Sequence, residues 1–432
     1  MLIAALLRQL DPPRRIELID PRGASQVVGT DHNRGPPELA VRVYDQLTDL
    51  SRFLRPDLAW GEAYTNGRLT VERGTLREVL DALGAVEARL SARPVRRLSS
   101  GTAKLWRALH MNNSIARVRR HVAHHYDIPG EIYDLFLDAD RQYSCAYYAA
   151  PGDTLETAQA RKKRHIAAKL LLEPGQRVLD IGSGWGGLAL YLAREFDVEV
   201  VGMTLSPERH AYAVERAWRA GLADRVHFRL CDYRHEPGPH DRTVSVGMFE
   251  HVGAPHYLEF FSKLGVLVTP AGLSLVHSVG RRAPKSGPNP WLRKYIFPGA
   301  YAPSLSETLE AVERSGPWTT DIEILRLHYA DTLRDWAGRF AAGRPQAAEL
   351  LGERFCRMWE FYLAASEMSF RRLHQMVFQL QLSRQRTAVP LTRDYMVDTE
   401  RSWPAEHALA ADGGEAVWQR FEPSKPERGD AA

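Results

Sequence analysis

A glycine-rich turn after a short apolar run constrains the fold of this chain more than any other stretch. Residues 177–187 begin with an apolar segment that predicts a buried strand, and a helix is predicted to open at Leu188. Between them, Gly182, Gly184 and Gly187 have the G-x-G-x-x-G spacing. Glycines at such a turn allow a tight connection and let a ligand approach bare backbone at the start of the helix.

Asp180 bears on which ligand this turn would hold. The glycine spacing fits dinucleotide sites and S-adenosylmethionine sites equally, and a purely structural turn is a third possibility. Asp180 lies two residues before the first glycine. Its carboxylate can accept a hydrogen bond from the cationic end of S-adenosylmethionine or pair with it, so this position favours that ligand.

Alternating strands and helices after the turn predict the fold class. The further segments are strands over 198–205, 226–230, 243–248 and 273–276, and helices over 207–220 and 256–268. We therefore expect an α/β fold of the Rossmann-like, doubly wound type with a mostly parallel sheet. Ligands of such folds bind beyond the carboxyl ends of the strands, where Asp180, Asp232, Glu250 and His277 fall.

The remaining segments are predicted from periodicity and capping signals. Residues 15–20 alternate like a strand, and an apolar stripe predicts helices over 41–54 and 75–90. Asp153, with Glu156 three residues later, predicts a helix that reaches residue 172. The C-terminal part is predicted to contain a strand over 322–328, with Tyr329 at its end, and then one or two long helices over 345–383.

Charge is balanced over the whole chain but not along it. The 57 lysines and arginines against 53 aspartates and glutamates do not argue for a nucleic-acid partner. Residues 88–126, however, contain arginines and lysines but no acidic residue. They predict either a solvated linker or a surface for anionic phosphate, and Trp106 beside Lys104 and Arg107 favours a membrane interface over nucleic acid.

The number of cysteines and the length of the apolar runs indicate the cellular compartment of the protein. The three scattered cysteines predict a reduced compartment, with neither a disulfide framework nor a metal site. No apolar run approaches the roughly 18 residues of a membrane span, so we expect a cytoplasmic protein at most peripheral to a membrane. The expected units are an N-terminal, lipid-associated domain (1–90), a basic linker (91–125), an S-adenosylmethionine-binding domain (126–402) and a polar tail (403–432).

Several motifs together resemble those of the cyclopropane-fatty-acyl-phospholipid synthase family, which is related to the mycolic acid cyclopropane synthases. The matching pieces are residues 125–127, 142–147, 178–182, 184–187, 245–253, His277 and residues 294–298. The runs at 143–147 and 248–253 are highly specific to this family. The resemblance covers roughly residues 120–400.

The resemblance implies a class I S-adenosylmethionine-dependent methyltransferase fold and a defined reaction. A methyl group is transferred from S-adenosylmethionine to the cis double bond of an acyl chain in a membrane phospholipid, and loss of a proton then closes a cyclopropane ring. In the family a bound bicarbonate takes that proton. The motifs assign its contacts to Glu250, His277, Tyr329 and the loop around Cys145. A homodimer on the inner face of the membrane is a further expectation.

The resemblance also assigns the cofactor contacts. They are Tyr143, Ser144, Asp180, Gly182, Gly184, Trp185, Thr204, Arg209, Asp232 and Tyr233. Arg209 stands where the family commonly has glutamine, and Ser183 stands where it usually has cysteine. No metal ligand is expected.

The chemistry of the reaction suggests roles for further residue types. A carbocation on the acyl chain can be stabilised by aromatic faces, for which the candidates are Tyr143, Tyr147, Phe249 and Tyr295. For Glu250 and bicarbonate to coexist, one must carry a shared proton or be screened by His277. Cys145 is predicted to be a packed small residue, since the reaction needs no nucleophile.

Three other functions remain open. A related enzyme that loses a different proton would yield a methyl-branched or methylene acyl chain. A small-molecule methyltransferase and a non-catalytic lipid-binding protein are the other two. The intact 143–147 run and the intact Glu250 and His277 argue against both.

Overall fold

The computed structural model of the protein describes residues 12–29, 36–44, 56–91, 128–282 and 289–402. Nearly all of the predicted basic stretch and the whole predicted tail lie outside these ranges. No helix within them is long and apolar enough to cross a bilayer.

The N-terminal part folds around its own small sheet. Its elements are β1 (Ile16–Ile19), β2 (Ser25–Val28), β3 (Leu39–Val43), α1 (Pro56–Thr65), β4 (Leu69–Arg73) and α2 (Leu76–Ser91). The strand order is β2-β1-β3-β4, and β1 and β3 are parallel. The predicted strand at 15–20 and helix at 75–90 are confirmed as β1 and α2. The helix predicted from residue 41 is wrong at its start, because Val41 and Val43 are buried in β3, which pairs with strands on both sides.

The larger part contains a second sheet with helices on its faces. Its first half consists of α3 (Gly130–Asp134), α4 (Leu155–Leu170), β5 (Arg177–Ile181), α5 (Gly187–Phe196), β6 (Glu199–Thr204), α6 (Pro207–Arg219), β7 (Val226–Leu230), β8 (His240–Val246) and α7 (Tyr257–Leu267). Its second half consists of β9 (Val268–Arg281), α8 (Pro290–Tyr295), α9 (Leu305–Ser315), β10 (Trp318–Leu325), α10 (His328–Leu351), α11 (Glu353–Arg372), β11 (Gln375–Ser383) and α12 (Asp394–Arg401).

The described strands of this sheet have the order β10-β11-β9-β8-β5-β6-β7. Strands β9, β8, β5, β6 and β7 are parallel to one another, whereas β11 is antiparallel to both β9 and β10. The mostly parallel, doubly wound sheet that the alternation predicted is therefore present. Since the parallel strands share one carboxyl edge, the residues that follow them meet on one side of the sheet.

Local signals explain where two of the helices begin. Ser206 caps α6 by accepting a hydrogen bond from the Arg209 amide, and Pro207 takes the first helical position. The predicted cap of α4 is wrong by one residue, because the Thr154 hydroxyl accepts from the Thr157 amide. The Asp153 carboxylate instead binds the Ala149 and Ala150 amides in the preceding turn.

Three predictions for the C-terminal half are wrong. The fifth strand of the parallel series does not stop at His277 but continues to Arg281, because β11 pairs with it over that whole length. Tyr329 lies in the first turn of α10 rather than at a strand end. Residues 375–383 form a strand, which pairs with β9 on one side and β10 on the other and is buried from Val377 onward.

Candidate active site

A cavity of about 660 Å³ lies at the carboxyl edge of the parallel strands. Cavities of this size commonly hold small-molecule ligands. Every residue that the sequence predicted for the site lines it: Tyr143, Ser144, Cys145, Asp180, Gly182, Gly184, Trp185, Thr204, Arg209, Asp232, Tyr233, Glu250, His277 and Tyr329. The structure thus brings the predicted residues together, while their individual roles remain predictions.

The glycine turn is held open against β6. The amides of Gly182 and Ser183 both donate to the Met203 carbonyl at 2.9 Å. Gly182 and Gly184 have φ angles of 88° and 54°, a region that favours glycine. Gly187 is needed for another reason, because a Cβ there would lie 2.5 Å from the Asp140 carboxylate.

Asp180 presents an unsatisfied carboxylate oxygen at this turn. The residue is buried, and its Oδ2 has no hydrogen-bond partner among the described residues. Burial raises the pKa of Asp180 to about 7, although the nearby Lys162 opposes this shift. A buried oxygen without a partner is costly, so a cationic or hydrogen-bond-donating ligand group fits this position.

Asp232 already has a partner within the protein. The Arg234 guanidinium donates to both of its carboxylate oxygens, at 2.9 and 2.7 Å. Burial opposes ionisation of Asp232, but the hydrogen bonds from Arg234 outweigh it and lower its pKa. Asp232 is therefore a charged acceptor at the cavity wall, beside the ring of Tyr233.

The Arg209 guanidinium packs against two aromatic rings. Its guanidinium carbon lies 5.1 Å from the centre of the Trp185 ring and 5.7 Å from that of Tyr133. Arg141 also approaches Trp185, at 4.7 Å. These cation–π contacts fix Trp185 at the cavity wall.

Glu250 lies in a short 3-10 turn after β8, and its carboxyl group is poised between protonation states. Its Oε1 accepts the Val279 amide at 2.5 Å, and its Oε2 has no hydrogen-bond partner among the described residues. Burial raises the pKa of Glu250 to about 7, although the amides of Glu250 and Val279 favour the charged form. Near neutral pH the side chain can therefore donate or accept a proton.

His277 is neutral because of its surroundings. It is buried in the middle of β9, and burial, with Lys162 and Lys169 adding to the effect, lowers its pKa to about 3. The Gln379 amide nitrogen lies 3.1 Å from Nδ1. With that nitrogen donating, the ring carries its hydrogen on Nε2. A neutral His277 favours a shared proton over screening by His277, and both remain expectations.

Tyr143 and Tyr329 contribute hydroxyl groups to the cavity, and their rings pack against other aromatic side chains. Tyr329 packs against Phe370, with ring centres 4.9 Å apart. The Tyr143 hydroxyl lies 2.9 Å from that of Tyr362, and burial raises the pKa of both Tyr143 and Tyr329 well above the usual value. Both tyrosines are thus neutral hydrogen-bonding groups.

Cys145 is a buried thiol at the cavity wall. Burial raises its pKa, and its Sγ donates to the Ala146 carbonyl at 3.3 Å. A thiol held in this form is a poor nucleophile, which agrees with the predicted packing role.

Lys162 is a site residue that sequence reasoning missed. It is buried on α4, lines the cavity, and donates to Gln142 Oε1 at 2.5 Å and to Ser144 Oγ at 2.8 Å. It stands in a run of four basic residues, 161–164, which is typical of a solvated helix face. The one sequence signal for its burial is the helical spacing, because Lys162 lies on the same face of α4 as the buried Leu155 and Ile166.

Three of the four aromatic candidates for stabilising a cation lie elsewhere, and only Tyr143 lines the cavity. Tyr147 stacks on His165 and His328, with ring centres 4.2 and 4.8 Å away. Phe249 is fully buried in an aromatic cluster with Tyr257 and Phe260. The Tyr295 hydroxyl donates to Glu62 in the N-terminal part. The rings that do line the cavity include Tyr329, Tyr362, Phe297, Tyr301 and Phe370.

Two chemically distinct regions therefore meet in the cavity. One has an open glycine turn and a buried carboxylate oxygen without a partner among the described residues, to which a cationic or hydrogen-bond-donating ligand group would be complementary. The other has a carboxyl group, an imidazole, a phenol and a thiol, all of which can be uncharged donors near neutral pH.

Relatives of this chain act on acyl chains. The model of the family described as mycolic acid cyclopropane synthetase matches residues 113–380. A probable fatty acid methyltransferase of Pseudomonas putida is 38% identical over 287 residues, which are 64% of this chain and 73% of that protein. The cyclopropane-fatty-acyl-phospholipid synthase of Escherichia coli K12 is 41% identical over 260 residues, which are 60% of this chain and 66% of that protein.

A solved structure is similar at the level of the fold. Mycolic acid cyclopropane synthase CmaA1, complexed with SAH and CTAB, is 31% identical, with a TM-score of 0.58 over 61% of this chain and 97% of that one. This likeness and the mostly parallel sheet confirm the predicted class I S-adenosylmethionine-dependent methyltransferase fold.

Proposed function

The chain belongs to the mycolic acid cyclopropane synthetase family of S-adenosylmethionine-dependent methyltransferases, and we propose that it forms cyclopropane rings on unsaturated acyl chains of membrane phospholipids. S-adenosylmethionine supplies the one-carbon unit, which is added across the cis double bond. Methyl transfer leaves a carbocation on the acyl chain, and removal of a proton from the added carbon closes the ring.

The observation that supports this proposal is the meeting of two unsatisfied carboxyl oxygens in one cavity. Asp180 Oδ2 lies at the glycine turn and Glu250 Oε2 lies in the short turn after β8, and neither has a partner among the described residues. The first suits the cationic end of the cofactor. The second suits a group through which a proton can leave, since the pKa of Glu250 is about 7.

Bicarbonate is proposed to bind among Glu250, His277, Tyr329 and Cys145, where it would supply a general base that a carbocation does not readily alkylate. The residues themselves hold and orient an anion. A protonated Glu250 can donate from its free oxygen, and the Nε2 hydrogen of a neutral His277 and the Tyr329 hydroxyl are further donors. The aromatic rings that line the cavity, among them Tyr143, Tyr329 and Tyr362, would limit the access of water, which would otherwise capture the cation.

A related enzyme that produces a methyl-branched or methylene acyl chain is the second candidate. Its support is the 38% identity to a probable fatty acid methyltransferase. The two products differ in which proton leaves. Glu250 and His277 would position the base in either case, so the product has to be measured.

Peripheral contact with the inner face of the membrane belongs to the same proposal, since the substrate is a bilayer lipid. Its support is the basic, acid-free run at 88–126, which lies almost wholly outside the described residues. A homodimer remains an expectation from the family resemblance.

The proposal is tested by release of S-adenosylhomocysteine from purified protein and S-adenosylmethionine. The substrate is a cis-monounsaturated phosphatidylglycerol in neutral detergent micelles, and the matched control is the saturated lipid of equal chain length. We expect release with the unsaturated lipid only. Equal release with both lipids, or none despite measured cofactor binding, would contradict the proposal.

A second arm of the same assay tests bicarbonate alone. Removing dissolved carbon dioxide from the buffer should lower the rate several-fold, and added bicarbonate should restore it. A rate that does not respond would reject the bicarbonate site and leave acyl-chain methyl transfer standing.

A further inference from the structure

Strand β9 connects the reaction centre with the outer end of the cavity. Because side chains of a strand alternate between faces, His277, Val279 and Arg281 lie on the same face, and all three line the cavity. Four residues of strand place the Arg281 backbone about 13 Å from that of His277. Arg281 is half-buried and Arg282 is exposed, so this end reaches the surface.

Positive charge collects at this outer end. Arg281 pairs in register with Gln375, next to His374, and the Arg282 amide donates to the His374 carbonyl at 2.8 Å. The Arg282 guanidinium lies 3.5 Å from His374 Nδ1. Arg293 of α8 lines the cavity as well, and Glu87 of α2 contributes one carboxylate.

Two arginines act on His374. Burial lowers its pKa, and the charges of Arg282 and Arg281 lower it further. An anion bound beside the ring would be attracted by both guanidinium groups.

Apolar side chains separate the outer end from the reaction centre. Val279 lies between His277 and Arg281 on β9, and Leu292, Phe297, Phe370 and Leu373 are further apolar residues of the cavity wall. Along β9 the cavity wall therefore runs from a cationic outer end over an apolar residue to a polar reaction centre. This order matches an acyl chain that carries a phosphate near one end and a double bond further along.

We propose that Arg281, Arg282, Arg293 and His374 form a binding site for the phosphate group of the acyl-lipid substrate. The inference rests on the proposed function and extends it, because it assigns where the headgroup is held. Guanidinium groups bind phosphate oxygens through paired hydrogen bonds as well as charge. The site would fix how deeply the chain enters, and so which carbon atoms reach His277 and Glu250.

The test compares two substrates with the same oleoyl chain. One is oleoyl phosphatidylglycerol and the other is monooleoylglycerol, which lacks phosphate, both in neutral detergent micelles. The variant is Arg281→Gln combined with Arg293→Gln, and the matched control is Arg314→Gln on the exposed end of α9. We expect the double variant to raise KM for the phospholipid about tenfold or more, with kcat and the KM for monooleoylglycerol close to parental values.

Further measurements check that the variants are folded and show whether the site binds free phosphate as well as the lipid phosphate group. The exposed Arg282→Gln substitution should raise the phospholipid KM in the same direction, and S-adenosylmethionine affinity serves as the folding check for all variants. Inorganic phosphate should compete with the phospholipid but not with monooleoylglycerol if the site also accepts free phosphate. A site shaped for the lipid alone would show no such competition, and both results support the proposal.

A binding measurement, which needs no turnover, tests the phosphate site independently of the proposed function. Calorimetry with dihexanoyl phosphatidylglycerol below its micelle concentration should show about tenfold weaker binding to the double variant. If the parent turns over neither substrate but this difference is seen, the proposed function fails and the phosphate site stands. Equal binding to parent and variant, or equal KM changes for both substrates, would overturn the phosphate site.

Discussion

Burial sets the protonation of three side chains in the cavity, and it acts on acids and bases in opposite directions. It raises the pKa of Asp180 and Glu250 to about 7 and, together with nearby lysines, lowers that of His277 to about 3. At neutral pH the carboxyl groups therefore stand near half ionisation, while the imidazole is uncharged. Perturbed carboxyl groups of this kind are typical of functional sites.

Glu250→Gln tests the proton-transfer region directly. The glutamine keeps the volume and can still accept the Val279 amide, but it cannot exchange a proton near pH 7. We expect S-adenosylmethionine affinity within about twofold of the parent and a fall in kcat of about 10² or more. Calorimetry and a single-turnover assay give the two values, and unchanged turnover would remove Glu250 from the catalytic set.

Asp180 predicts a pH dependence of cofactor binding. Its carboxylate is ionised above a pKa of about 7, and only the ionised form pairs with a cation. The dissociation constant for S-adenosylmethionine should therefore fall by up to about tenfold per pH unit between pH 5 and 7, and then level off. Asp180→Asn should bind more weakly at pH 8 and lose this dependence, whereas a variant with the parental profile would assign it to another group.

Helix α4 carries a polar stripe on its buried face. Lys162 holds Gln142 and Ser144 beside the cavity, and further along His165 and Lys169 bind Glu323 of β10. The two ends of the stripe thus have different tasks. One supports the loop that carries Tyr143 and Cys145, and the other ties the helix to the sheet.

Lys162→Met and Lys169→Met should separate these tasks. The first removes two hydrogen bonds to the site loop, so kcat/KM should fall at least about tenfold, and the melting temperature should fall as well because Gln142 and Ser144 lose a buried donor. Lys169 does not line the cavity, and losing it leaves Glu323 with one partner fewer. We expect its replacement to lower the melting temperature and largely spare kcat/KM. The same pattern for both variants would contradict the division.

How far the sequence predicts an element depends on whether its signal is local. The start of α6 was predictable because Ser206 and Pro207 carry cap and first-turn chemistry in adjacent positions. Strand β11 was missed although Phe378, Leu380 and Leu382 alternate with polar residues, because the preceding helix runs almost up to it and no glycine or proline separates the two. Lys162 was missed for a different reason, since its burial depends on how α4 packs against the sheet.

The N-terminal part bears on the site through its contact with α8 and α11. Helix α1 presents Gly61 to the rings of Trp291 and Phe361. Around this contact, Glu62 binds Lys294, and the Tyr64 hydroxyl donates to Glu360 at 2.9 Å. Since α8 also provides Leu292 and Arg293 to the cavity, the contact with the N-terminal part helps to position this segment of the cavity wall.

Gly61→Ala and Gly338→Ala make the same substitution in two helices, and we expect them to have opposite effects on stability. A Cβ at Gly61 would lie 2.4 Å from the Trp291 ring, whereas one at Gly338 meets nothing within 4 Å. We expect the first to destabilise the protein by about 1–3 kcal/mol and to lower activity. The second should be neutral or stabilising by up to about 1 kcal/mol. Denaturant unfolding gives both values, and equal effects would show that α1 does not pack on α8 as described.

The product of the reaction tests the central claim most directly. The purified protein would be incubated with S-adenosylmethionine and micelles of cis-monounsaturated phosphatidylglycerol, and the released acyl chains would be analysed by mass spectrometry and for a surviving double bond. Ring formation predicts a gain of one CH2 with no double bond left. The same gain with the double bond retained would indicate the methylene or branching relative, and an unchanged acyl chain despite cofactor binding would contradict the account.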